Sequence, residues 1–403
     1  MSDYVVFQQE DEVVAREEYT NDLVIRRPNA SEVFEAVMES LARQGGGSVH
    51  IASGTYAVEQ PIELPSMTSV IGSGRATVLA LAATNTHGVI FSVDTGDAIV
   101  ISDLTCQGSP GQESLAGIVL TECGDCEIRG VTVRDFGQFG ILLRRNCFMN
   151  KLLYNTTSGN GRAGTFISET GRGRGGDWTP NLVLGCTSIG EKGHGFELSF
   201  AICTNLVGCQ VYQPAGHGYY FHSESNSTCL SGSRVYQGAQ NGVLVQDSHE
   251  LNVSSNIICW NRGHGMELNH VIWGTVSANN FIDNGARVQP QTNGIYMHTD
   301  TNSLQVTANA LFNWEGHLPM LNGIYEAEDC HNNQITNNTI NYFSEEGVVS
   351  RGQNSVAVNN LAVPERYPHP GAVPFPELGE PFTGEPFSPE RVTRFLELTR
   401  RQP

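Results

Sequence analysis

Glutamate, histidine and tyrosine recur at fixed offsets behind a repeated glycine, and that pattern is where this chain could do chemistry. Glu197 and Glu267 stand two residues after Gly195 and Gly265. Tyr220, Tyr296 and Tyr325 hold the same offset from Gly218, Gly294 and Gly323, and His222 and His298 follow four residues after Gly218 and Gly294. A Tyr or His beside a carboxylate can act as base and acid for abstracting a sugar C5 proton, which is lyase or epimerase chemistry. A Glu with a nearby Asp serves hydrolysis or glycosyl transfer. The candidate catalytic groups are therefore Glu267 with His298 and Asp300, and Glu197 with His222. Tyr220, Tyr296, Tyr325, Asp247, His270 and Arg144 lie at neighbouring offsets as candidate substrate-binding groups. Aromatic rings beside carboxylates and imidazoles suit a carbohydrate, because rings stack on the apolar face of a sugar while acids and His bond its hydroxyls.

What must position these residues is the glycine itself. It recurs at Gly117, Gly140, Gly164, Gly195, Gly218, Gly242, Gly265, Gly294, Gly323 and Gly347, each time leading a short apolar strand. Such a period marks a repeat architecture. Each repeat is too short for a propeller blade and lacks a helical or leucine-rich pattern, so it reads as one turn of an all-β parallel β-helix. The residue after each glycine, from Ile118 to Val348, is expected to point inward, and the second and fourth outward. Glu197 and Glu267 then share a column three coils apart, ~14 Å at the ~4.8 Å coil spacing. That exceeds the ~5–10 Å of paired hydrolase carboxylates, so each Glu must find its partner in a neighbouring column.

Residues 1–28 read as a lead-in. Asn29 caps a helix over 29–44 whose stripe of Val33, Phe34, Val37, Met38 and Leu41 would cover the open end of the solenoid. The β-helix runs over 29–362 with this helix included. Residues 363–403 form a Pro-rich arm ending in a short helix from Ser388. Asn256, Asn279, Asn309, Asn338 and Asn359 are expected to stack as an amide ladder. Three long coils, at 170–181, 284–293 and 313–322, would rise beside the polar face; the first carries Arg172, Arg174 and Trp178, suited to clamp a carboxylate and stack a ring.

The helix, the Gly45-Gly46-Gly47 stop, "SVHIASGTYAV", "PIELPS" and "VIGSG" resemble the opening of the pectate-lyase-like superfamily of right-handed parallel β-helix proteins. The resemblance covers about residues 29–362. It implies a right-handed solenoid acting on a poly- or oligosaccharide, as a lyase or epimerase or as a glycosidase or fructotransferase. The alternative it implies is a non-catalytic glycan binder of the viral tailspike kind. By analogy with tailspikes and fructotransferases it also implies a homotrimer. The Gly-His-Gly triplets at 193–195, 216–218 and 263–265 look like one found near the site of polygalacturonase-type hydrolases. The Asn-Thr-Asp, Asp-Asp and Arg-Ile-Lys that should accompany it are missing, so His194, His217 and His264 are read as corner packing. The Asp-Pro-His-Glu signature of alginate epimerases is missing as well. No cofactor or metal is expected; the resemblance leaves Ca²⁺ open, but no Asp cluster like a pectate lyase calcium site is present.

A net charge of −19 argues against nucleic acid and anionic membranes as partners. No apolar run reaches the ~18–20 residues of a membrane span. The ten cysteines are scattered through the coils and read as buried free thiols. The opening MSDYVVFQQEDEVVAREE lacks the pattern of a secretory signal, so a cytoplasmic or virion-associated protein is expected, with secretion by another route left open.

Overall fold

The computed structural model describes residues 3–173, 175–285, 292–313 and 318–364. Among them are 39 strands and one helix. The strands stack into a parallel β-helix with three faces per coil. Face one holds the glycine-led strands, such as Phe139–Arg144, Ala163–Thr170, His194–Ala201 and Tyr219–His222. Face two continues it, as in Lys151–Leu153 and Leu182–Leu184, and face three follows, as in Thr156–Ser158 and Thr187–Ile189. Every strand of a face pairs in parallel with its equivalent in the next coil. Val243–Ser254 and Met266–Ser277 run through faces one and two without a break.

The expected register is the one observed. Ile118, Ile141, Thr165, Phe196, Tyr219, Val243, Met266, Ile295, Ile324 and Val348 pair in one column. All but Val348, near the open end, are buried.

Space, rather than a left-handed backbone, requires the repeating glycine: none of the ten has a positive φ. A Cβ on Gly265 would lie 2.6 Å from the Gly294 carbonyl oxygen and 2.6 Å from the Phe281 ring. On Gly195 it would meet the Gly218 oxygen at 2.6 Å and Val211 at 2.5 Å. The coil corner brings face three's inward side chain and the next coil's carbonyl into the volume a side chain would fill. That carbonyl is occupied: Phe196 N–H donates to Gly218 O, and Met266 N–H to Gly294 O, both at 3.0 Å.

Residues Asp3–Gln9, Glu12–Glu17 and Leu23–Arg27 form an antiparallel unit whose first strand pairs with Gly47–Ile51 of the first coil. The helix Ala30–Gln44 is capped by Asn29, whose side chain accepts from Ser31 N–H at 2.8 Å. It ends at Gly45 in the left-handed conformation, where Gly46 N–H returns to Leu41 O. Its buried stripe is the expected one, and Phe34 meets Tyr56 edge-on at 6.0 Å. Glu32 pairs with Arg27 at 3.4 Å. The arm residues 365–403, with the short helix expected there, lie outside the described residues.

The amide ladder runs Asn256, Asn279, Asn309, Asn338, Asn360. Its last rung is Asn360 instead of the expected Asn359, because Ala357, not Val356, is the partner of Ile335 in the final coil. The cysteines are free thiols, eight of them buried. Cys123 and Cys147 donate to the carbonyls of Thr121 and Leu120.

Two interior glutamates break the apolar core. Glu326 is fully buried and accepts from Asn333, Ser350 and Ser355. Glu191 is 1% exposed and accepts from Asn160 N–H at 2.6 Å and Ser188 at 3.1 Å. Burial pushes the Glu191 carboxyl up to about 7, against the hydrogen bonds that lower it.

Three outcomes are expected. Gly265→Ala loses roughly 3 kcal/mol in denaturant unfolding. Gly175→Ala, whose Cβ would meet nothing nearer than 3.7 Å, leaves stability nearly unchanged. Because the folded pKa of Glu191 is raised, its own contribution to stability falls as pH rises from 4.5 through about 7, opposite in sign to that of the depressed imidazoles His194, His217 and His264. The full loss is about 3 kcal/mol. The difference in Tm between Glu191→Gln and the wild type isolates it, moving in the variant's favour as pH rises over that range.

Candidate functional site

Face one carries an outward column running Phe166, Glu197, Tyr220, Leu244, Glu267, Tyr296, Tyr325, one residue per coil. The fourth-position column beside it includes Ser199, His222, Gln246, Asn269 and His298. Pairing in register sets each glutamate diagonally across from the imidazole one coil on.

The structure brings the expected partners together. His298 Nε2 lies 3.0 Å from Glu267 Oε1, and His222 Nε2 lies 3.2 Å from Glu197 Oε1. Tyr296 stacks on His298 with centroids 4.5 Å apart, and Tyr220 on His222 at 4.4 Å. The Nδ1 atoms meet the Thr299 hydroxyl at 2.8 Å and the Ser223 hydroxyl at 2.9 Å.

The two carboxylates differ in what else binds them. Glu197 is 2% exposed at its side chain and takes both Arg162 Nε, at 3.1 Å, and the terminal nitrogen, at 2.6 Å. Burial pushes this carboxyl up, but hydrogen bonds from His222 and Arg162 and the Arg162 charge outweigh it and hold it below its ordinary value. Glu267 is 22% exposed and accepts from the Asn241 amide at 2.6 Å. The hydrogen bond from His298 holds it below the ordinary value, against burial and with help from Asn241.

The Gly-His-Gly imidazoles sit at the corner. Their Nδ1 atoms accept backbone N–H groups of the next coil: His194 from His217, His217 from Asn241, His264 from Asn293. Burial holds all three below the ordinary imidazole value, His217 at about 4. They are neutral supports, and they also touch the site: His194 and His217 lean on Tyr220 at 5.0 and 5.4 Å, His264 on Tyr296 at 5.1 Å.

Other expected site residues are placed differently. Asp300 turns to His331, at 3.1 Å, instead of joining Glu267 and His298. Asp247 and His270 pair with each other at 3.0 Å. Tyr325 follows Tyr296 at 5.6 Å and accepts from Arg351 at 3.1 Å. Arg144 donates to Thr121 and lines a groove of about 290 Å³ with Phe139, Arg145 and Phe166. Phe139 and Phe166 stack at 4.8 Å there, with Arg162 over both. In the first long coil Arg172 lies over the exposed Trp178 ring at 4.8 Å. Arg174 and parts of the other two long coils (286–291 and 314–317) lie outside the described residues. Among the described residues no three His, Cys, Asp or Glu converge to hold a metal, and no helix is long and apolar enough to cross a membrane.

Arg162, Asn241 and His331 had not been expected at the site. Arg162 and Asn241 precede a repeat glycine and so fell outside the strand columns; the signal was their position in the coil just before each glutamate.

A family model described as "Right handed beta helix region" matches residues 69–235 and 221–363. No curated protein sequence matches. Among solved structures, the chain is similar to the A-module of the mannuronan C-5 epimerase AlgE6 of Azotobacter vinelandii. The two are 16% identical, with a TM-score of 0.69 over 84% of this chain and 96% of that one. The N-terminal fragment of gene product 12 of bacteriophage phi29 gives 14% identity and a TM-score of 0.63, covering 83% and 64%. The tailspike protein of E. coli bacteriophage HK620, solved in complex with a pentasaccharide, gives 12% and 0.59, covering 83% and 75%.

Arg162→Met strands a buried carboxylate beside His222. The variant should lose roughly 3 kcal/mol at neutral pH. Without the guanidinium the folded pKa of Glu197 rises above the unfolded value. The loss therefore shrinks as pH falls below about 4.5, where the carboxyl is protonated in both states. Thermal unfolding across pH checks the sign.

Proposed function

The chain belongs to the right-handed β-helix family, and on this scaffold we propose that it acts on a poly- or oligosaccharide laid along face one, with reaction at Glu267, His298 and Tyr296. The observation that carries this reading is the Glu267–His298 pair, 3.0 Å apart and partly exposed, with Tyr296 stacked on the imidazole. Neighbours named as a mannuronan epimerase and as a tailspike in complex with a pentasaccharide support a glycan ligand.

Proton abstraction is the chemistry best served. Glu267 is held below its ordinary pKa and is ionised at neutral pH. It takes a proton from a sugar carbon next to a carboxyl group. The electron pair left behind expels the glycosidic oxygen from the neighbouring carbon, as in a lyase, or takes a proton on the opposite face, as in an epimerase. Burial, with the neighbouring Tyr325 and Glu267, keeps the Tyr296 hydroxyl above its ordinary value. It is thus protonated and able to supply the proton that the leaving oxygen or the carbon needs. Arg351, over Tyr325 at 5.4 Å, offers a cation to the sugar carboxylate. Hydrolysis by a Glu197–Glu267 pair is poorly served, since the two lie three coils apart, ~14 Å.

A second reading is a glycan binder without turnover, associated with a virion. It is favoured by the saturation of both nitrogens of His298, one by Glu267 and one by Thr299.

Incubation with uronic, fructan and neutral glycans separates the two readings. Absorbance of unsaturated product reports a lyase, C5 inversion by NMR an epimerase, and new reducing ends alone a hydrolase. Glu267→Gln should lower turnover by at least about 100-fold with little change in Tm. Tight binding with no product from any glycan would leave only the binder.

A further inference from the structure

The Glu–His–Tyr unit occurs twice. Gly193–Leu198 reads GHGFEL and Gly263–Leu268 reads GHGMEL. Gly218–Ser223 reads GYYFHS and Gly294–Thr299 reads GIYMHT. The contacts repeat with the letters: a carboxylate on Nε2, a hydroxyl from the next residue on Nδ1, a tyrosine stacked on the ring, and a corner histidine behind it. Even the turn beyond each imidazole matches. Ser225 and Thr301 hydroxyls donate to the carbonyls of His222 and His298 at 2.8 and 2.7 Å.

We infer that the two units form one extended site with divided labour: the Glu197 unit anchors the sugar chain, and the Glu267 unit reacts with it. This rests on the glycan reading above. The units share a face and are separated by three coil steps, ~14 Å along the axis. Leu244 alone stands between Tyr220 and Glu267 in their column. A chain lying along the axis meets an imidazole and a ring at the first unit, an apolar step, then a carboxylate and a ring at the second. A ligand of one or two sugars cannot reach both units, so the occupant is a longer linear oligosaccharide.

The labour divides because the carboxylates are held differently. Both Glu197 oxygens are taken by the Arg162 guanidinium, one of them by His222 as well, and the side chain is 2% exposed. It neither reaches a substrate carbon nor gives up its charge. Its role is to fix the His222 ring, so it is a positioning residue, and the surface it leaves to the ligand is His222 with Tyr220. At Glu267 a neutral amide takes the place of the guanidinium and the carboxylate is 22% exposed. That group can reach a ligand and exchange a proton with it.

Calorimetry and turnover with size-graded oligomannuronates, oligogalacturonates, inulins and dextrans test this on the full chain. For the wild type, affinity should rise by at least about tenfold once the oligomer spans both units. His222→Ala and Tyr220→Phe/His222→Ala should lose that gain and raise KM for long oligomers only, with kcat falling less than threefold. Glu267→Gln should keep the gain and lose turnover. Near-UV circular dichroism and Tm confirm folding, and Tyr220→Phe serves where the double variant fails to fold. An affinity independent of oligomer length, or a His222→Ala variant that loses kcat as severely as Glu267→Gln, overturns the division of labour while the glycan reading stands. Binding of none of these glycans overturns both.

Discussion

The structure depends on how closely successive coils approach at one corner. A parallel stack lets the backbone N–H and C=O groups of each coil bond to the next, and at the corner the residue between two faces has no room for a side chain. At Gly195, Gly218, Gly242, Gly265, Gly294 and Gly323 a Cβ would meet both the next coil's glycine carbonyl and an inward residue of face three. With a larger residue the ladder would open where faces three and one meet. The glycine is thus a packing requirement, and it holds all ten inward residues in one column.

Columns make chemistry out of repetition. Once coils stack in register, a glutamate two residues after one glycine lies beside a histidine four residues after the next, whatever the length of the loop between them. The long coil at 284–293 separates Glu267 from His298 in sequence, yet their pairing matches that of Glu197 and His222. The same corner supplies the supports. His194, His217 and His264 are half-buried, neutral and bonded to backbone N–H groups, and their rings brace Tyr220 and Tyr296. A residue set by the needs of the corner therefore also holds the site in shape.

Much of this was legible before any coordinates, because period-two alternation is a local rule and the glycine gave its phase. The inward column, the capping stripe of the helix and the partners of Glu197 and Glu267 followed from counting. Where the count slipped, the reason was local. The amide ladder ends on Asn360 because Ala357 takes the inward place in the last coil. Asp300 groups with Glu267 and His298 by its offset from the repeat glycine, but its left-handed backbone turns it toward His331. Arg162 and Asn241 were missed because they sit at corners, where alternation says nothing about direction. Glu191 and Glu326 were missed because an inward glutamate looks, by letter alone, like an outward one.

By itself the sequence determined the architecture, the three-coil spacing of the two glutamates and the identity of their histidines, since each depends only on period and phase. What the tertiary structure alone decided is how each carboxylate is held. Arg162 closes over Glu197 and an amide meets Glu267, so two units with nearly the same letters differ in charge balance and exposure. That difference arises from side chains converging across coils at corners, where no sequence period sets direction.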